Sequence, residues 1–327
     1  MNQRLTADQW SDFWQAGSVT TFMGRFEQNY DGVVRHFWRK LFAVLPANAQ
    51  IVDLATGNGA LALLALEFSD EYDRNFNITG VDFAATDPRA TLKGRELEAA
   101  LERIHFLTST RIEATGLPDG EFDLVCSQFG FEYADIADAV VETARLLKDD
   151  KAVFAAMLHH ESSVVLQQAK EGVRQDVQCR KSGLLAKVKE LLFATAKAGE
   201  RGIDPKQCED CEALRHDINH ITGKLHNAQS QYRDPGQLAY YVGSIMSVFD
   251  PQRADQSIDE KLQHLDTIDE ECQLFVARMR DLLGSALTDD DIAGLCARFE
   301  DAGLSVDFSE SIEMEGQLFC HALVVVR

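Results

Sequence analysis

The chain is short of basic residues: 32 Lys and Arg stand against 53 Asp and Glu, a formal charge of −21 over 327 residues. A surface of that sign repels a phosphate backbone over most of its extent, so no nucleic acid partner is expected. Long apolar runs are missing as well. No stretch approaches the roughly 20 apolar residues that a membrane span requires. The opening Met1-Asn2-Gln3-Arg4-Leu5-Thr6-Ala7-Asp8 lacks the apolar core of a signal peptide. No membrane partner is expected either. The seven cysteines form an odd set without the spacing of a disulfide framework, which fits a reducing compartment and places the protein in the cytoplasm. Internal repeats and low-complexity tracts are absent.

What is present is enough apolar material, 45% of residues, to bury a full α/β core and leave residues for a further layer. Between Asp8 and Leu45 the aromatics Trp10, Phe13, Trp14, Phe22, Phe26, Tyr30, Phe37, Trp38 and Phe42 recur at near-helical spacing, and Pro46 closes the last helix. An alternating pattern follows. Strands are expected at Gln50–Leu54, Asn77–Asp82, Ile104–Leu107, Phe122–Ser127 and Lys151–Leu158, with helices at Ala60–Phe68 and Pro88–Leu101. Such alternation builds right-handed βαβ units and a sheet covered on both faces. From Ser162 to Leu283 only helical spacing appears, with Asp204-Pro205 as a helix start signal. The α/β pattern returns with a helix at Asp289–Ala302 and strands at Ser305–Met314 and Leu318–Arg327. Only Glu315-Gly316-Gln317 separates these strands, so an antiparallel hairpin is expected at the sheet edge. The expected organisation is an N-terminal helical cap (1–48), a Rossmann-like core (49–158 and 286–327) and a helical insertion over the sheet (159–285).

The most informative stretch is Asp53-Leu54-Ala55-Thr56-Gly57-Asn58-Gly59, which follows Ile51-Val52 and precedes a helix. A strand, a glycine turn and the first turn of a helix are how an α/β sheet opens a nucleotide pocket. The loop alone also suits a dinucleotide enzyme, since Ala62 at the third glycine position is allowed in the looser pattern. The leading carboxylate decides between donors: Asp53 would repel a pyrophosphate, whereas it suits a sulfonium cofactor bearing an amino group. Asp82, about twenty-five residues on at the end of a strand, is placed to accept both ribose hydroxyls.

The order of this loop, Asp82, Glu113 before Leu117-Pro118, Phe122-Asp123-Leu124-Val125, Arg145-Leu146-Leu147 and a terminal hairpin resembles the class I S-adenosylmethionine-dependent methyltransferases over residues 50–158 and 289–327. The resemblance implies a seven-stranded, mostly parallel, doubly wound α/β sheet with S-adenosylmethionine as cofactor. It places Asp53, Ala55, Thr56, Gly57, Asn58, Gly59, Asp82 and Phe83 along the cofactor, with Phe83 against the adenine face. Arg111 and Ile112 fall beside the adenine; Arg111 departs from the aspartate common there, and the backbone N–H of Ile112 can still bond the ring. Ser127, Gln128 and Phe129 complete the cofactor set.

Glu132 and Tyr133, beside the fourth strand, and His159 and His160, closing the fifth, are the candidates for positioning or deprotonating a nucleophile. The bland alternatives are core packing for Tyr133 and a strand-end hydrogen bond for a histidine. The implied activity is in-line methyl transfer to a small-molecule oxygen, nitrogen or sulfur acceptor. A sensor or scaffold without turnover and a protein methyltransferase stay open as alternatives, and so does assembly as a homodimer. Cys208-Glu209-Asp210-Cys211 with His216 and His220 resembles zinc-ligand spacing. On one continuous helix, however, Cys208 and His220 would lie about 18 Å apart, too far for one ion, and no metal is expected.

Overall fold

The computed structural model describes residues 4–22, 26 and 28–327; Met1, Asn2 and Gln3 of the opening segment lie outside the described residues. The described chain divides into two compact units, one of Gln167–Leu283 and the other of residues 4–166 with Gly284–Arg327. The aromatic N-terminal segment thus belongs to the same unit as the sheet.

In the larger unit the strands are β1 (Gln50–Leu54), β2 (Asn77–Val81), β3 (His105–Leu107), β4 (Leu124–Gln128), β5 (Val153–Leu158), β6 (Ser305–Met314) and β7 (Gln317–Val326). They form one seven-stranded sheet in the order β3-β2-β1-β4-β5-β7-β6. The first five run parallel, and β7 is antiparallel to both β5 and β6. β1 therefore has β2 on one side and β4 on the other, which makes the gap beyond the C-terminal ends of β1 and β4 the switch point where open α/β sheets receive ligands.

Strand alternation sends successive side chains to opposite faces. Ile51, Leu124, Cys126 and Met157 enter a core shared with Trp38 and Phe42 of helix Gly32–Val44 and with helix Ala60–Glu71. Val52, Leu54, Val125, Phe154 and Leu158 enter a second core with helices Ile136–Leu146 and Asp289–Asp301. Two helices of this unit start in reciprocal capping boxes, Thr6 with Gln9 for Ala7–Gln15 and Thr288 with Asp291 for Asp289–Asp301.

Two expectations are corrected. The single helix expected over Pro88–Leu101 is two short ones, Pro88–Thr91 and Glu98–Leu101, because the chain turns at Gly94 with φ +78°. Asp204-Pro205 caps only a 3₁₀ turn, Pro205–Gln207, and the α-helix starts afresh at Glu209.

The smaller unit is helical, built largely from Leu184–Glu200, Glu209–Ala228, Gly236–Met246 and most of Ile258–Ser285 around Leu184, Val188, Leu191, Tyr241, Leu265 and Cys272. Among the described residues no helix is long and apolar enough to cross a membrane.

Phe299 is fully buried, with its ring 4.7 Å from that of Phe154 and 6.1 Å from that of Phe131. It braces β5 and the turn after β4 together. Phe299→Ala should cost about 3–5 kcal/mol of stability, read as a lower denaturant midpoint; a loss under 1 kcal/mol would mean that this stack does not support the sheet.

Candidate active site

The end of β1 and the loop after it are held from two sides. Thr56 donates from its hydroxyl to Asp53 Oδ2 at 2.6 Å and from its N–H to the Val81 carbonyl at 2.9 Å. The N–H of Gly57 donates to Asp82 Oδ2 at 2.7 Å, and that of Ala84 donates to Asp82 Oδ1 at 2.8 Å. Asp82 is thereby a clamp between the glycine loop and the end of β2. Gly57 has φ +55°, and a Cβ on it would come within 2.4 Å of the Trp14 indole, so close an approach that only glycine fits. Gly59 starts the helix Ala60–Glu71 in the left-handed region. Asn58 is fully buried; its amide nitrogen donates to the Trp14 and Ser18 carbonyls, while its Oδ1 has no partner.

Both carboxyls are buried, and burial sets their protonation. Desolvation pushes Asp53 up to about 7, opposed by Thr56 and the Ala62 N–H and reinforced by Asp82. Asp82 rises to about 6 for the same reason, against the two N–H groups that it accepts. The field of Asp53 also reaches the buried Tyr30 hydroxyl and Cys126 thiol, both of which burial, first, and then Asp53 push up.

Across the switch point, the residues that directly follow β1 and β4, Ala55 and Phe129, both sit in the left-handed region with φ +58°, an uncommon conformation for residues with a Cβ. A Cβ on Gly130 would lie 2.3 Å from that of Ala55, so the two loops touch through the bare glycine. The Ser127 hydroxyl donates to the Leu54 carbonyl at 2.8 Å and joins the same two strands. Gln128 turns to the helix Gly32–Val44, where its Oε1 accepts from Trp38 Nε1; its Nε2 is buried without a partner. Phe83 is partly exposed, with the Arg111 guanidinium 5.1 Å above its ring, and Arg111 pairs with Glu113. Ile112 is buried in the second core.

The Phe129 ring stacks on His159 with centroids 4.4 Å apart. Glu132 Oε1 accepts from the His159 backbone N–H at 2.8 Å and lies 2.7 Å from His159 Nδ1. The second oxygen of Glu132 is buried and unpartnered. With Nδ1 engaged by a carboxylate, Nε2 is the nitrogen left to exchange a proton with a ligand. Tyr133 stands at the rim, its ring 6.3 Å from that of His159 and 5.7 Å from that of Trp10, with Arg4 over its face.

His160 is placed differently from its neighbour. Its Nδ1 accepts from the Ser162 N–H at 3.2 Å and its Nε2 lies 3.1 Å from Asp289 Oδ1, so both ring nitrogens serve the strand end. That is the strand-end role, and it leaves no nitrogen for a substrate proton.

Trp14, with Phe13 and Ala84, forms a small cluster against the glycine loop, and Trp10 packs on it. Near-helical spacing alone does not reveal the contact with Gly57, which depends on the helix Ala7–Gln15 folding back across the loop. Asn29, whose amide donates to the Ala60 carbonyl at 2.9 Å, and Tyr30 are packed beside the same helix start.

Residues 51–150 match the family model described as a methyltransferase domain. The chain carries a methyltransferase domain over this stretch. A demethylmenaquinone methyltransferase from Thermus thermophilus is 36% identical over 114 residues, which are 34% of this chain and 49% of that protein. The chain thus spans about half the length of that curated relative. Solved structures resembling it include a SAM-dependent methyltransferase from Aquifex aeolicus, 17% identical over 39% of this chain and 64% of that one, with a TM-score of 0.33. Another is the Burkholderia thailandensis 1,6-didemethyltoxoflavin-N1-methyltransferase, 17% identical over 40% of this chain and 54% of that one, with a TM-score of 0.32. The methyltransferase domain's own residues fit its cofactor: two buried carboxyls suit a cation and a ribose.

The raised carboxyls make stability depend on pH. Asp53 in the fold keeps a proton that the unfolded chain has released above about pH 4, so its stabilising contribution is full below that value and is lost as pH rises through about 7. Between pH 5.5 and 7.5 the ligand-free protein should lose about 2 kcal/mol through this group, a loss absent from Asp53→Asn. Urea titrations of both proteins at the two pH values test it. Parallel pH profiles would show that Asp53 is ionised in the fold.

Proposed function

We propose that this chain transfers a methyl group from S-adenosylmethionine to a small-molecule oxygen, nitrogen or sulfur nucleophile. The observation that carries the reading is the meeting, at one switch point, of a buried acid-and-glycine cradle with a histidine aligned by a buried glutamate. When bound, the cofactor supplies a methyl group already activated by a cationic sulfur. Each oxygen of Asp82 accepts one N–H and keeps lone-pair capacity for a ribose hydroxyl. Asp53 offers a carboxyl that ionises readily once a cation lies nearby, so donor binding should release protons near neutral pH. Phe83 presents a partly exposed ring face for a base.

On the acceptor side, His159 takes a proton at Nε2, while Glu132 holds the ring by Nδ1 and stabilises the imidazolium that forms. Phe129, Phe22 and Phe319 form an aromatic cluster beside that histidine, with centroids 5.4 to 5.6 Å apart. Apolar walls of this kind favour an acceptor with a flat or apolar body and one ionisable group. The relative from Thermus thermophilus is named for such a molecule, demethylmenaquinone.

Calorimetry with S-adenosylhomocysteine should show binding to the unmodified protein, affinity about tenfold or more weaker for Asp82→Ala, and no binding to Gly57→Val, whose new side chain would meet Trp14. No binding to the unmodified protein would sink the reading. With labelled donor and a metabolite extract, His159→Gln should lower turnover by about 10²–10⁴-fold while leaving product binding intact. Equal turnover in that variant would remove His159 from the chemistry, and binding without any transfer would favour a sensor.

A further inference from the structure

Cys208 and Cys211 stand outside the methyltransferase domain, in the helical unit, and their placement has a chemistry of its own. Cys208 is the N-cap of the helix Glu209–Ala228, with φ −86° and ψ 115°, and is half-buried. Cys211 is three residues on, in the first turn, and is fully buried. The helix buries Cys211, Ile218 and Leu225 along one stripe. At 100° per residue His216 and His220 fall on other faces, and both are exposed, so they cannot join the two thiols around an ion.

We propose that Cys208 and Cys211 form a redox-active dithiol that exchanges with small-molecule disulfides such as oxidised glutathione. Residues three apart in the first turn have Cβ atoms within about 5–6 Å, and the extended ψ of an N-cap lets the first of them swing toward the second, which brings the pair into disulfide range. Cys208 is half-buried and Cys211 fully buried, which assigns attack to Cys208 and resolution to Cys211. The Cys211 thiol and the N–H groups of Cys211 and Asp210 bring the Cys208 thiol below its ordinary value, against burial and the Asp210 charge. Burial raises Cys211. Glu209 and Glu212 are the other acids of the first turn, and Arg215, paired with Glu212, is the nearby cation.

The step balances without any further reagent. The Cys208 thiolate attacks one sulfur of the small disulfide and expels one thiolate. Cys211 then gives up its proton and attacks Cys208 sulfur, expelling the second. Two protein thiols become one disulfide, and one small disulfide becomes two thiols.

The full-length protein is equilibrated in glutathione buffers of graded redox ratio, quenched by alkylation and digested. The expected result is a loss of two hydrogens confined to the peptide holding Cys208 and Cys211, reversed by excess reduced glutathione. Cys211→Ser should instead accumulate a mixed disulfide at Cys208. In the reduced protein at pH 7, Cys208 should be alkylated about tenfold faster than Cys296, the other half-buried thiol. Alkylation of the two at equal rates would overturn the proposal. So would a Cys211→Ser protein, folded by circular dichroism, that holds no glutathione at Cys208. Neither readout depends on methyl transfer.

Discussion

The carboxylate of Asp82 joins two pieces of backbone that would otherwise be independent: one oxygen takes the Gly57 N–H and the other the Ala84 N–H. The glycine loop therefore cannot move without the end of β2, and the switch point inherits the rigidity of the parallel sheet beneath it. A neutral amide at position 82 could accept at only one of those sites. The Thr56 N–H to the Val81 carbonyl repeats the linkage one residue earlier. Everything placed around the gap is referenced to this tie: Ala55 on one side, Gly130 against it, and through Phe129 the ring of His159.

Much of that frame is written locally. β6 and the hairpin follow from alternation and a short gap, closed in the structure by the two residues Glu315-Gly316, and the parallel strands, β1 among them, read as continuous buried runs because both sheet faces are covered. The boundaries that escape local reading are those where the chain's own conformation competes with helix spacing, as at Gly94 and at Cys208. The site divides in the same way. Asp53, Gly57 and Asp82 announce themselves by position after strands. Glu132 and His159 each stand out as residues at strand ends, but their pairing spans twenty-seven positions and exists only because β4 and β5 are neighbours.

The reverse also holds: side chains with the right chemistry were turned to other work by packing. His160 follows His159 directly, yet strand alternation points it the other way, toward Ser162 and Asp289. Gln128 ends β4 beside the gap, but its carbonyl is claimed by Trp38. Trp14 shows the converse. Nothing in its neighbourhood distinguishes it from Trp10 or Phe13, and its contact with Gly57 arises from the path of the segment after the helix, fixed by Asn58 donating to the Trp14 and Ser18 carbonyls.

Burying two carboxyls so near each other is costly unless something uses them. Asp53 keeps only Thr56 and the Ala62 N–H as favourable partners, and its value near 7 measures how far these fall short of water. Stability alone would favour a neutral side chain there, since replacing buried charge by a packed neutral group is often neutral or better. The carboxyl becomes an advantage only when a positive charge enters the same dry space, where Coulomb attraction is least screened. The same burial that weakens the ligand-free fold would therefore strengthen attraction for a cationic ligand in that space and repel an anionic one. That selectivity by charge is a physical reason for an acid, rather than another glycine or serine, to stand at the end of β1.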